Sequence, residues 1–239
     1  MSDGDAFPLG RLEPTDWVHV ERYPLTAAAV RAAPAEAERT LVMPRYRAVY
    51  DQGREGACVA FASSWMMSIL NRRRYDPVWL WNRAKEVDEW PDTNPGDDKG
   101  TSVRAAMDVL RTNGCCRVYR GKTEPCDKAE GIVENRWATD VDGIRASIAG
   151  GTPVVLGVNW YVNFDKPVKK GTDWWIGEGE LGVRRGGHAV CLYRVSDRRQ
   201  AVGLVNSWGM RYPLVWLPYA TVERLLRESG EATLVTDRP

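Results

Sequence analysis

Asp51-Gln52-Gly53-Arg54-Glu55-Gly56-Ala57-Cys58-Val59-Ala60-Phe61 sets a glutamine six residues ahead of a cysteine, with two glycines between them. Downstream, Val59, Ala62, Met66, Ile69 and Leu70 recur at three-and-four spacing, and Phe61 and Trp65 add a second apolar row. The spacing predicts a helix from Ala57 to about Asn71, apolar on most sides and therefore buried. Arg72, Arg73 and Arg74 follow it, at the negative pole of its dipole. Cys58 falls in the first turn, where unpaired N–H groups favour a thiolate.

Two later motifs complete a chemical set: Gly186-Gly187-His188-Ala189-Val190 and Asn206-Ser207-Trp208-Gly209. Each piece alone has a bland reading. A lone cysteine on an apolar helix is usually inert filler, a histidine before a strand is usually structural, Gln52-Gly53 is a turn and Asn206-Ser207 a strand end. Cysteine, histidine and asparagine in that order, behind a glutamine, are the parts of a thiol hydrolase. A thiol with an ordinary pKa of about 8.5 must lose its proton before it can attack an amide. His188 can take that proton, Asn206 can hold the imidazole in one orientation, and Trp208 can shield their bond from water. The Gln52 side-chain amide and the Cys58 N–H can receive the charge that develops on the carbonyl oxygen. Gly186 and Gly187 leave room for another chain to approach.

Composition sets the frame. The chain has 239 residues and 44% hydrophobic content, enough for one unit, or two lobes, around a sizeable core. A net charge of +1 points to neither nucleic acid nor membrane. Eleven tryptophans against three phenylalanines are read as core and cleft walls. Met1 to Asp5 carries no basic segment leading into an apolar one, and no apolar run nears the roughly 20 residues that span a bilayer. The expectation is a cytoplasmic protein, with export by a non-classical route left open. Beside Cys58 stand Cys115, Cys116, Cys126 and Cys191. A Cys115–Cys126 or Cys116–Cys126 bridge is conceivable, but without a signal segment free thiols are favoured. Two histidines and no CxxC pair argue against a structural metal, and the chemistry requires no cofactor.

Residues 1–48 are punctuated by Pro8, Pro14, Pro24, Pro34 and Pro44; Thr26–Arg39 reads as a short interrupted helix and Arg45–Tyr50 as an extended lead-in. Residues 87–100 form a polar loop. Thr101 or Ser102 caps a helix to about Thr112 with Val103, Ala106, Met107 and Leu110 inward, and Asp140 or Asp142 caps another carrying Ile144 and Ile148. Pro153–Trp160, His188–Val195, Ala201–Asn206 and Leu214–Leu217 read as strands, Tyr219–Arg227 as a helix, Ala232–Thr236 as a last strand. Helices in one half and antiparallel strands in the other make an α+β arrangement.

The motifs resemble those of papain-like cysteine peptidases, over about residues 45–220. Gln52 to Phe61 matches the frame of that family's Gln-Gly-x-Cys-Gly-Ser-Cys-Trp-Ala-Phe, Gly187 to Val190 its histidine motif, and Asn206 to Gly209 its intact Asn-Ser-Trp-Gly. Gly100-Thr101-Ser102-Val103 resembles its substrate-binding glycine stretch. The resemblance implies a two-lobed fold: a helical left lobe over 50–139, an antiparallel β-barrel-like right lobe over 140–239, and an N-terminal segment over 1–49 partly packed on the right lobe. The active site would lie in the cleft between the lobes. It implies Cys58 as nucleophile, His188 as base and acid, Asn206 as orienter and Gln52 as oxyanion donor. Gly100, Thr101, Gly157, Gly187, Ala189 and Trp208 would line the substrate site, and no metal is implied. Small residues at Gly157 and Ala189 would leave room for a bulky apolar side chain two residues before the cut. Glu55 stands where secreted members have a disulfide cysteine, and Val59 replaces a tryptophan. The segment after Gly209 is short, and the N-terminal part is too small for a large helical propeptide; the layout resembles compact bacterial or phage members.

The implied function is a cysteine peptidase acting on protein or peptide through a thioester acyl-enzyme. The alternative is a binding or scaffold module of the same fold with little or no turnover, or a chain whose Thr26–Arg39 covers the cleft. The loop 165–186 is a possible protein-partner surface, though a solvated hairpin is the favoured reading.

Overall fold

The computed structural model describes residues 7–14, 35–44, 49–90 and 99–237. Its helices are α1 (Cys58–Asn71), α2 (Pro77–Lys85), α3 (Val103–Thr112), α4 (Val141–Gly150) and α5 (Tyr219–Arg227). The large sheet contains β1 (Glu38–Thr40), β4 (Ile132–Ala138), β5 (Val154–Tyr161), β6 (Val168–Lys170), β7 (Asp173–Trp175), β8 (Arg184–Ser196), β9 (Ala201–Val205), β10 (Val215–Pro218) and β11 (Glu231–Asp237). A separate hairpin pairs β2 (Val118–Tyr119) with β3 (Lys122–Thr123).

Local chemistry accounts for most boundaries. Ser102 caps α3 by accepting from the Ala105 N–H at 3.1 Å, and Asp140 caps α4 by accepting from Gly143 at 2.8 Å. Gly151, at φ 107°, ends α4 in a left-handed turn. Replacing Ser102 by alanine should cost about 1 kcal/mol of stability, read as a lower urea midpoint with unchanged slope. Periodicity does not single out α2, which is short and polar on one side. Its signal is the cap: Asp76 accepts from Val78 and Trp79, and Pro77 occupies the first helical position.

The sheet runs β4-β11-β5-β8-β9-β10-β7-β6, with β1 on β8. Its pairs are antiparallel except β7 with β10. It stays open from β4 to β6, so the barrel-like right lobe expected above is an open sheet. The edge strand β4 comes from within the stretch assigned to the helical lobe. β5 is buried along its whole length, as an interior strand covered on both faces must be. The buried helix α1 packs on β8 and β5 from one side, while α4 packs on β8 and β4. This joint between α1 and β8 carries Cys58 toward His188.

Two expectations are corrected. Residues 26–34 of the helix expected over Thr26–Arg39, and 45–48 of the extended lead-in, lie outside the described residues; Glu38–Thr40 is a strand whose partners are Ser196, Val195 and Arg194. An open sheet edge outweighed local helix propensity there. Second, Cys116 and Cys126 are disulfide-bonded, whereas Cys58, Cys115 and Cys191 are free. The β2–β3 hairpin folds the chain back so that Cys126 meets Cys116, while the Cys115 thiol donates to the Glu130 carbonyl. Among the described residues no helix is long and apolar enough to cross a membrane.

Candidate active site

The glutamine loop and the asparagine motif are stitched to each other. The Gln52 N–H donates to the Ser207 carbonyl at 2.8 Å, the Gly209 N–H to Tyr50, and Asp51 bridges Trp208. The Gln52 side chain is fixed at both ends: Oε1 accepts from the Ser207 hydroxyl, and Nε2 donates to the Glu55 carbonyl at 2.6 Å. One Nε2 hydrogen remains beyond that bond. Ser207 was not expected to matter, but it sets the tilt of the Gln52 amide.

His188 Nε2 lies 2.8 Å from Asn206 Oδ1, which also accepts from the Ser207 N–H at 2.8 Å. An oxygen that accepts from one N–H must be met by hydrogen from the imidazole too. His188 therefore carries its proton on Nε2, leaving Nδ1 as a lone-pair acceptor. Nδ1 is buried and has no hydrogen-bond partner among the described residues. The ring is held by Trp208, stacked at 4.6 Å, and by the edge of Trp160 at 4.7 Å. Trp160 is a further tryptophan of the site; its largely apolar, wholly buried strand gave no functional signal.

Cys58 opens α1, and its sulfur lies against the backbone amides of Ala189, the residue after His188, and of Val59 and Gly10. Burial pushes the thiol up to about 12; those amides and the Arg11 cation pull the other way without prevailing. Burial pushes His188 down to about 3, the Asn206 bond opposes this, and the Arg185 cation adds to it. A helix terminus supplies at most about 2 kcal/mol toward the thiolate, less than desolvation removes here. As folded, burial favours a neutral Cys58 thiol and a neutral His188 imidazole.

The segment Phe7–Leu12 lies over these residues as a strap, with the Gly10 amide against the Cys58 sulfur. Gly10 and Arg11 donate to the Gly187 carbonyl at 3.2 and 3.1 Å, Leu12 donates to Thr101, and the Thr101 N–H donates to Gly10. Arg11 thus pairs in parallel with Thr101. Phe7 stacks on Trp208 at 4.2 Å and 4°, and Trp208 Nε1 donates to Pro8. Three glycines make the approach possible. A Cβ on Gly10 would lie 2.0 Å from the Gly56 oxygen, one on Gly100 1.8 Å from the Gly10 oxygen, and one on Gly187 2.1 Å from the Arg11 oxygen.

Of the residues expected to line a substrate site, Gly100 lets the Gly10 carbonyl approach, and Thr101 and Gly187 hold the strap by backbone bonds. Trp208 holds it by stacking and by its N–H, Ala189 faces the sulfur, and Gly157 lies beside the Arg11 side chain. The strap itself was missed: Phe7-Pro8-Leu9-Gly10-Arg11-Leu12 has no periodicity to betray it. The loop 165–186 is an ordered hairpin, its base tied by Asp165 to Arg185 and Trp160.

No known protein-family model matches this chain, and no curated protein does. Solved structures do match. Xylellain, a cysteine protease from Xylella fastidiosa, aligns over 97% of this chain and 96% of its own, with TM-score 0.72 and 19% identity. A procathepsin B from Trypanosoma congolense aligns over 97% and 87%, with TM-score 0.66 and 15% identity. The recombinant stem bromelain precursor aligns over 100% and 81%, with TM-score 0.64 and 15% identity. The chain has the papain-like fold.

Proposed function

We propose that this protein is a cysteine peptidase kept latent by its own Phe7–Leu12 strap. The observation that carries the reading is the His188–Asn206 bond, which aims a proton-accepting Nδ1 away from the carboxamide while the sulfur lies on the neighbouring Ala189 amide. In the open cleft Nδ1 takes the Cys58 proton and the sulfur attacks the scissile carbonyl. The Cys58 N–H and the second Gln52 Nε2 hydrogen meet the oxyanion. His188 then protonates the leaving amine, forming the thioester, and afterwards activates the water that hydrolyses it. The Gly10 carbonyl of the strap is engaged by the Thr101 N–H at 3.1 Å, which holds it back from attack.

A thiol-directed epoxide should label Cys58, located by peptide mass spectrometry, and Cys58→Ala should remove the label. Failure to label the folded chain with its strap displaced, anywhere between pH 5 and 8, rejects the reading. Asn206→Ala leaves the buried His188 N–H unpaired and should lower turnover about tenfold, with an acid-shifted pH profile.

The closed thiol favours one other reading: a binding module of this fold with little turnover. A partner complex of equal affinity for the intact chain and Cys58→Ser, with no peptide cleaved, would select it.

A further inference from the structure

Arg11 is the deepest side chain of the strap. Its guanidinium Nε lies 3.1 Å from Glu231 Oε1, with both side chains fully buried, and Nη2 donates to the Ser229 carbonyl at 2.8 Å. Glu231 opens β11 directly after a turn in which Ser229 adopts φ 68°, and it sits opposite Gly157 of β5. A Cβ on Gly157 would come within 3.1 Å of Arg11 Nε and 2.9 Å of Val103 Cγ2. The glycine therefore keeps open a slot walled by Val103 and floored by a carboxylate and a carbonyl. Along β11, Glu231 and Thr233 alternate with the apolar Ala232 and Leu234, all four buried, so the acid lies on a buried polar face of the strand. A buried carboxylate is costly unless a cation meets it, and in the closed chain that cation is Arg11.

We propose that the Glu231 pocket is the principal specificity site of the open enzyme and takes an arginine side chain of the substrate, so that the substrates are proteins or peptides with arginine close to the scissile bond. Arg11 is a stand-in for that side chain. This inference rests on the peptidase reading above and names its substrate class. It replaces the bulky apolar side chain expected from Gly157 and Ala189: the volume is there, but the charge at its floor decides the occupant. Arginine is preferred over lysine because its planar fork reaches Glu231 and Ser229 together, which a single ammonium does not.

The test uses the full chain with Arg11→Ala, which vacates the pocket, and a library of peptidyl coumarin amides varied one position at a time. At one position arginine should exceed leucine by at least about tenfold in kcat/KM, with lysine between. Adding Glu231→Gln should lower the arginine-to-leucine ratio by about tenfold or more, Glu231→Asp should restore part of it, and Gly157→Val should abolish it by filling the slot. Leucine preferred throughout, or a ratio indifferent to Glu231→Gln, overturns the assignment. Calorimetry on Cys58→Ala/Arg11→Ala with acetylated peptide amides differing only in arginine or leucine separates pocket from chemistry. Arginine-selective binding that Glu231→Gln removes, with no turnover in the Cys58 chain, upholds the pocket and rejects hydrolysis. Unselective binding rejects the pocket even where coumarin is released.

Discussion

Gly10→Val should raise the rate at which a thiol-directed epoxide labels Cys58 at pH 7 by about 10³-fold over the unaltered chain. The new Cβ would sit 2.0 Å from the Gly56 oxygen and 2.2 Å from its carbonyl carbon. Those are backbone atoms two residues ahead of α1, a helix whose first twelve residues are buried, so they have nowhere to go. The strap must leave instead. Its closure gains backbone bonds to Gly187 and Thr101, the Phe7–Trp208 stack and the paired guanidinium of Arg11. Against this stands the ordering of six residues at about 1–2 kcal/mol each. A net closure of about 4 kcal/mol, or a thousand closed chains for each open one, is the scale such opposing sums leave. Loss of the Phe7 stack should change Trp208 fluorescence in parallel. Unchanged labelling alongside changed fluorescence would mean that something other than the strap hides the sulfur.

What could be read in the sequence depended on whether a residue acts locally. Ser102, Asp140 and Gly151 cap their helices through neighbours in the chain, and the boundaries they set were legible. Cys58, His188, Asn206 and Gln52 were legible for another reason: each sits in a short motif whose residue types the chemistry demands. Glu231 was not, because its meaning lies in Arg11, 220 residues away, and in a glycine on an adjacent strand. The strap was hidden for the same reason. Its bonds are all to residues far along the chain, and its residues obey no period. Cys116–Cys126 was misjudged because the hairpin between them decides their proximity, whereas the redox argument used for the thiols says nothing about distance. The helix expected across residues 35–39 lost to β8, whose free edge offered Glu38–Thr40 more hydrogen bonds than an isolated turn could.

The strap should also be an acid-released latch, most cleanly seen in Cys58→Ala, where no thiol titrates beside the imidazole. In the closed cleft His188 is held neutral down to about 3 by burial, with Asn206 opposing and the Arg185 cation assisting. Its other neighbours, Trp160 and Trp208, do not titrate. Opening admits water, and the ring regains its ordinary pKa of about 6.5. Below that value the open chain binds a proton that the closed chain refuses. Closure is therefore at full strength above about pH 6.5 and weakens with each unit toward 3, by about 1.4 kcal/mol per unit. At pH 4.5 the latch is weaker by about 2.7 kcal/mol, a roughly hundredfold gain in open chains. The chain holds two histidines, His19 and His188, so proton NMR can follow each. The His188 ring signal of Cys58→Ala should stay at its neutral position until Trp208 fluorescence reports opening, whereas with Gly10→Val added it should titrate near 6.5. A ring that titrates near 6.5 while the fluorescence still reports the closed chain would show that water already reaches His188 beneath the strap, and the latch would then owe nothing to this residue.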